Sequence, residues 1–382
     1  MIPLSYNYRN LRVRWKTTLM TASGFTLVVA ALVVMLAFIN GIEVACATTG
    51  EAENVILLSK GNNDEVLSQM DRGLVAQVEN TKGVLLDSSS RPVASRELFM
   101  VVHHQQEETG VFRFLQVRGV LPVAFRVHSR LHLIEGRNFR PSQSEIIIGK
   151  GVQRENHFQI GDQIDMGRKL WKVVGVFEAS GAAFESEMWC DLNELASQFR
   201  REGLYSSVIL RAATPRAAEE MAEQLAGSRS VSVEAMTEPR YYEKQSEQTK
   251  IMQTAAWVIA WFMGIGAMFG VMNTMFAAIG QRTKDIAVLR IMGFESGEIL
   301  LSFLLEAILI ALLGGLLGVA LGAVANGITR TASLGARQID FAFRVDGGIL
   351  IFAALFTVVM GILGGLLPAL SAMRIKPLEA LH

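Results

Sequence analysis

Four long apolar runs divide the chain, at 17–42, 251–280, 299–328 and 347–373, and only the third holds a charged residue, Glu306. Each run can cross a hydrocarbon core of ~30 Å at about 1.5 Å per residue, so the pattern predicts four membrane-spanning helices. Glycines recur at four-residue spacing in three of them: Gly266 and Gly270, then Gly314, Gly318 and Gly322, then Gly361 and Gly365. That spacing puts them on one helix face where backbones approach closely, which marks them as helix-packing positions. An intramembrane carboxylate leaves a proton or ion role open for Glu306. It lies about two turns into its span, however, where it can also reach the interface or pair with a basic side chain and so serve helix packing.

Between the first and second runs, 43–250 turns to alternating strands, polar turns and ordinary charge, the pattern of a water-soluble domain with its own core. Strands are predicted at 53–59, 84–87, 97–104, 207–212 and 231–235, with amphipathic helices at 64–80 and 215–226. From about 111 to 193 short strands and glycine turns dominate. The predicted fold class is therefore a four-span α-helical membrane protein with a large extracytoplasmic α+β domain, a split β-α-β sandwich carrying an inserted β-rich lobe. Residues 239–250 are polar without a glycine break and run straight into the second span, as a helical stalk would.

Between the second and third runs, QRTKDIAVLRIMGF at 281–294 brings Arg282, Lys284, Asp285 and Arg290 between two oily flanks. Ile286, Leu289 and Gly293 form a narrow apolar stripe opposite those charges, as in a short helix that presses into a groove on another protein. Periodicity leaves a connecting loop at the headgroups equally open.

Lysine and arginine counts place the N-terminus (Arg9, Arg12, Arg14, Lys16), the 281–298 segment and the tail at 374–382 in the cytoplasm, although the opposing loop at 329–346 also carries three arginines. Residues 1–16 form a basic amphipathic pattern suited to a membrane face. A cleaved signal peptide is the rival for the first run, which is longer than such a segment needs.

Composition adds exclusions. With 51% hydrophobic and 19% charged residues, and zero net charge, the chain resembles neither an ordinary soluble protein nor a nucleic-acid binder. Two cysteines, Cys46 and Cys190, cannot make a disulfide scaffold, and their pairing stays open. His103 and His104 point to opposite faces of a strand, and His128 and His132 lack the glutamate of a zinc helix, so no metal site is expected. No P-loop occurs, so no cofactor is expected and the chain does not itself bind ATP through such a loop.

The segment around 272–318 and the ending GGLLPALSAMRIKPLEAL carry a resemblance to the FtsX/MacB/LolC-type permeases of ABC transporters. The matching positions are Arg282, Thr283, Lys284, Asp285, Ile286, Ala287, Val288, Arg290 and Gly293, then Glu306 and Ala307, then Pro368, Ala369, Ala372, Pro377, Ala380 and Leu381. The resemblance implies a non-enzymatic subunit, paired with a separate ATPase and a second permease copy, in contact with membrane lipids and open to a periplasmic adaptor. It also implies that the 281–298 helix docks on the ATPase, through Arg282, Thr283, Lys284, Asp285, Ile286, Ala287, Leu289, Arg290 and Gly293. The expected function is mechanotransmission: extraction or export of a hydrophobic, lipid-linked or drug-like cargo on the outer side of the cytoplasmic membrane. The alternative is a regulator that transports nothing and activates a cell-wall hydrolase.

Overall fold

A computed structural model describes residues 9, 12–13, 15–105, 112–167, 169–334 and 337–373. The basic pattern at 1–16 falls mostly outside the described residues, and the tail at 374–382 entirely so. In chain order the elements begin with α1 (Trp15–Thr49), β1 (Asn54–Ser59), β2 (Met70–Asp71), α2 (Arg72–Val78), β3 (Ala94–Gln105) and β4 (Phe112–Val120). There follow α3 (Ala124–Val127), β5 (His132–Gly136), β6 (Glu145–Gly149), α4 (Lys150–Asn156), β7 (Gln163–Met166), β8 (Lys169–Glu178) and β9 (Glu187–Asp191). Next come α5 (Leu192–Gln198), β10 (Leu204–Tyr205), β11 (Ser207–Arg211), α6 (Pro215–Ala226), β12 (Val233–Thr237) and the long α7 (Glu238–Gln281). The chain closes with α8 (Thr283–Ile291), α9 (Ser296–Ala323), the hairpin β13 (Thr329–Leu334) and β14 (Arg337–Ala342), and α10 (Gly347–Met373).

Two compact units emerge. One holds Met1–Asn40, Ile251–Ile328 and Phe343–His382, the other Gly41–Lys250 and Thr329–Ala342. Among the described residues four helical stretches are long and apolar enough to cross a membrane: Thr18–Thr49, Thr254–Gln281, Ser296–Ala323 and Gly347–Met373. The first unit buries Phe25, Val271, Met275, Phe303, Ala307, Met360 and Ala369 together. Large apolar side chains such as Phe262, Leu316 and Ile351 point outward, as contact with lipid tails allows.

The second unit is built on a ten-stranded sheet, ordered β12-β1-β11-β3-β4-β9-β6-β8-β5 with β7 beside β8. The β4–β9 and β6–β8 pairs are parallel and the rest antiparallel. Val55, Leu57, Val75, Val208, Leu210, Met221 and Leu225 form one core beneath α2 and α6. Val117, Ile146, Ile148, Trp171, Val176, Met188 and Leu195 form the core of the β-rich part. The β3–β4 pairing, Leu98 opposite Gly119 through Gln105 opposite Phe112, joins the two halves in one sheet.

Local chemistry explains where the pattern and the structure part. The helix expected at 64–80 starts only at Arg72, because Asp71 caps it by accepting the Leu74 N–H at 2.9 Å. Upstream, Asp64 accepts from Val66 N–H and the Ser68 hydroxyl takes the Ser59 N–H, so those residues form turns. The strand expected at 84–87 makes only isolated bridges, since Asp87 accepts the Ser89 and Arg91 N–H groups in a turn. Cys46 and Cys190 are both buried and are not joined by a disulfide.

At the seam of the sheet a fully buried arginine, Arg118 on β4, meets three carboxylates: Glu65 at 2.8 Å, Glu97 at 2.6 Å and Glu187 at 2.6 Å. His128 Nε2 lies 2.8 Å from Glu97, and its Nδ1 lies 3.8 Å from Glu238, the first residue of α7. Burial alone would pull the His128 pKa down, but Glu97 outweighs it and the net direction is up; burial pushes the Glu238 carboxyl up as well. Removing one member of such a network leaves a buried charge unpaired, at a cost of roughly 3–5 kcal/mol.

The 329–346 segment, expected as a plain loop, contains the β13–β14 hairpin, held on the second unit through Asp340. Its N–H donates to the Ser186 hydroxyl at 2.6 Å, its Oδ1 accepts from Thr331, and its buried Oδ2 sits over Gly151 with no hydrogen-bond partner among the described residues. Burial raises the Asp340 pKa from 3.8 to about 6; Thr331 and Arg154 pull it down, while Glu155 and Glu185 add to the rise. A carboxyl raised on folding stabilises below its unfolded pKa and loses that contribution as pH climbs through the folded value, so up to ~3 kcal/mol is lost between about pH 4 and 7. His128 and Glu238 tilt stability the same way. Thermal melts of the full-length protein at pH 5 and pH 8 should therefore show a lower midpoint at pH 8, with the gap reduced but not abolished in D340N.

Candidate functional site

In the segment between the second and third membrane-length helices, charge, a helix break and exposed apolar residues coincide. The α7 helix stops at Gln281, and Arg282 leaves helical geometry at φ −112 and ψ 13. The Thr283 hydroxyl closes the break by donating to Gly280 C=O at 2.9 Å. The nine-residue α8 then ends where Gly293 takes φ +95, and Phe294 N–H donates back to Leu289 C=O at 3.2 Å. That reverse bond with a left-handed residue is a Schellman stop, which glycine makes at little cost. Glu298 then accepts the Glu295 N–H at 3.2 Å, and α9 begins.

The stripe read on α8 divides in the structure: Ile286 is buried, Leu289 half-buried and Gly293 exposed. Ile286 and Ala287 are buried at 1% and 0% exposure, and Ile286 shares a cluster with Ile299 and Phe303. Arg282 is also buried; its Nη1 and Nη2 reach the Glu306 carboxylate at 3.0 and 3.2 Å. Arg290 turns to the Ser296 hydroxyl. The sequence-derived set of docking residues thus divides. Arg282, Ile286 and Ala287 hold the helix to its own unit, Leu289 and Thr283 are half-buried, and Gly293 is the helix stop. Of that set Lys284 is exposed, and the side chain of Asp285 lies outside the described residues. The exposed apolar groups are Val288, Ile291 and Met292, at 45%, 63% and 62% exposure, beside Lys284. Their offsets of three and four from 284 and 288 are a helical repeat, but the buried stripe carries the same period, so spacing alone could not rank the faces.

The glycines divide too. A methyl added at Gly314 would stand 2.5 Å from Ala22 C=O, at Gly318 2.8 Å from Thr26 C=O, and at Gly322 2.7 Å from the Val33 Cβ, all on α1. Thr26 confirms the close approach by donating to Gly314 C=O at 3.1 Å. Gly361 and Gly365 face Ala311 and Ala307 of α9 at 2.7 and 2.5 Å. Gly266 and Gly270 have nothing within 4 Å, and Gly264 is the α7 glycine with a neighbour, Phe356 at 2.9 Å. Glu306, read as a packing or proton-handling group, is paired with Arg282 beside a small cavity lined by Thr18, Thr21 and Thr274.

Among the described residues no three His, Cys, Asp or Glu side chains gather to hold a metal. His103 packs at a tilt against Phe114, and His104 meets Phe158 edge-on.

Comparisons with known proteins give the family of the chain. The family model described as the MacB-like periplasmic core domain matches residues 18–228, and that of the FtsX-like permease C-terminal region matches 257–377. This chain belongs to the MacB/FtsX-type permeases of ABC transporters, and is a multi-pass membrane protein. An uncharacterized ABC transporter permease, YknZ of Bacillus subtilis, is 25% identical over 400 residues, covering 96% of this chain and 94% of the relative. The macrolide export ATP-binding/permease protein MacB of Hahella chejuensis is 25% identical over 392 residues, covering 95% of this chain and 57% of its own length. This chain therefore spans little more than half of that exporter. The solved extracellular domain of a noncanonic ABC-type transporter, YknZ from Gram-positive bacteria, is matched over its whole length and over 48% of this chain, with a TM-score of 0.36 and 17% identity.

Two glycine substitutions separate the contact faces. G314L, which drives a side chain into Ala22, should lower the stability of the purified protein by roughly 1–3 kcal/mol, whereas G266L should leave the melt of the single chain within about 0.5 kcal/mol of wild type. Fluorescence-detected thermal melts in detergent report both.

Proposed function

We propose that this chain is the membrane subunit of a mechanotransmission-type ABC complex, in which a separate ATPase docks on the exposed face of α8. The observation that carries the reading is the face formed by Lys284, Val288, Ile291 and Met292, three exposed apolar residues beside a cation on a helix whose other side is fixed. An apolar patch rimmed by charge is the composition of a protein contact. ATP-driven closure of the partner displaces α8, and spans two and three shift against span one. The 44-residue α7, helical from Glu238 to Gln281, passes the motion to the extracytoplasmic domain.

In this reading the termini and α8 are cytoplasmic and residues 43–250 lie outside. Two permease copies, identical or different, sit in the lipid of the cytoplasmic membrane, and a periplasmic adaptor can join them. The cargo is hydrophobic, lipid-linked or drug-like and is moved on the outer side. It does not pass through a polar conduit, because the apolar runs at 17–42, 251–280, 299–328 and 347–373 carry no charged stripe, Glu306 being the one charged residue in them. ATP is hydrolysed by the partner.

The test is ATP hydrolysis by the purified complex in nanodiscs. I291D combined with M292D should lower permease-stimulated turnover by about tenfold or more, because charges placed in an apolar contact are left unpaired. Stimulated turnover equal to wild type, in a protein with an unchanged melt, would remove α8 as the docking element.

A further inference from the structure

Resting on that reading, we propose that the Arg282–Glu306 ion pair is a clamp that makes α8 and α9 one mechanical body, with both residues acting as positioning residues for coupling. The helix α8 has a break at each end: Arg282 sits at φ −112 and ψ 13, and Gly293 at φ +95. Nine residues are too few for a helix to hold its place by internal hydrogen bonds, so its neighbours set its position. Among the described residues, Thr283 ties the start of α8 back to α7, and three further side-chain anchors reach α9. At one end Arg282 grips Glu306, in the middle Ile286 shares a buried cluster with Ile299 and Phe303, and at the other end Arg290 bonds Ser296.

The first anchor differs in kind from the other two. Both side chains are nearly buried, at 6% and 7% exposure, and both guanidinium branches are used, at 3.0 and 3.2 Å. A bidentate pair fixes orientation as well as distance, which a single contact cannot do. Glu306 lies ten residues into α9, roughly 15 Å along its axis, so the grip sits within the body of the helix and not at its frayed start. The groups lining the small cavity beside Glu306 on α1 and α7 are Thr18, Thr21, Thr274, Met275 and Ala278, none of them charged. Parting the pair would strand two charges in apolar surroundings, so it holds or releases as a whole and does not stretch. A push on the exposed face of α8 is then delivered to α9 and is not absorbed at the two breaks.

The clamp can be tested in the full chain without any ATPase. With Cys46→Ala and Cys190→Ala, nitroxide labels at Ile291→Cys and Leu316→Cys, both exposed positions on α8 and α9, report the distance between the two helices by double electron–electron resonance in nanodiscs. The parent should give one narrow distribution, and E306Q one about twofold broader. The swap R282E/E306R should bring the width back. Where E306Q does not fold, R282K, which keeps charge and loses the fork, takes its place with the same expected broadening. An unbroadened distribution in a folded E306Q or R282K protein overturns the clamp, and so does a folded swap that stays broad. Because this readout needs no partner, a failed clamp with intact α8 docking and intact docking failure with a firm clamp are separable results.

Discussion

The position of one short helix is decided by where a single arginine can place its charge. Arg282 comes directly after the apolar α7, where a guanidinium has few tolerable destinations, and it ends in a two-point contact with Glu306, the one charged residue of the four apolar runs. Once that contact forms, rotation of α8 about its axis is fixed. Ile286 and Ala287 turn into the bundle, and Val288, Ile291 and Met292 are left outside. The face that α8 leaves exposed is therefore a consequence of an internal ion pair, and its identity follows from electrostatics.

The soluble unit relies on the same physics in another setting. Arg118 lies in the seam that joins the split half to the β-rich half, and its three carboxylates come from the loop after β1, from β3 and from β9. Sheet hydrogen bonds would tolerate a slip in register, but a buried arginine with three fixed partners does not. Through His128 and Glu238 the network reaches the first turn of α7, the helix that continues as a membrane span. The Asp340 hairpin is attached on the same unit. Polar groups at low exposure thus mark each place where a membrane helix is continuous in sequence with this unit's attachments.

The apolar runs were legible because a hydrocarbon core sets a minimum length, and the glycines of α9 and α10 because close helix contact demands small residues at fixed spacing. Gly266 and Gly270 share that spacing and meet nothing within the chain, since spacing states that a face is smooth and not what covers it. The stripe of α8 was legible as a stripe, but not which of its residues turn inward, because Ile286 on the buried side and Val288, Ile291 and Met292 on the exposed side are apolar at the same period. Arg118 was hidden for the opposite reason: an arginine in a strand normally reads as a solvent-facing position, and the three carboxylates that bury it lie 21 to 69 residues away. The hairpin at 329–342 was missed because its attachment depends on Ser186 and Gly151, far off in sequence.

In this account work done on one side of a membrane is received by α8 and delivered to a folded domain on the other. The most direct measurement is labelling of single cysteines with a membrane-impermeant maleimide on intact spheroplasts, at Leu67→Cys in the soluble unit and Ile291→Cys on α8, both well exposed. The account predicts labelling of Leu67→Cys in intact cells and of Ile291→Cys only after permeabilisation. Labelling of both under the same condition would place receiver and delivery in one compartment and contradict it.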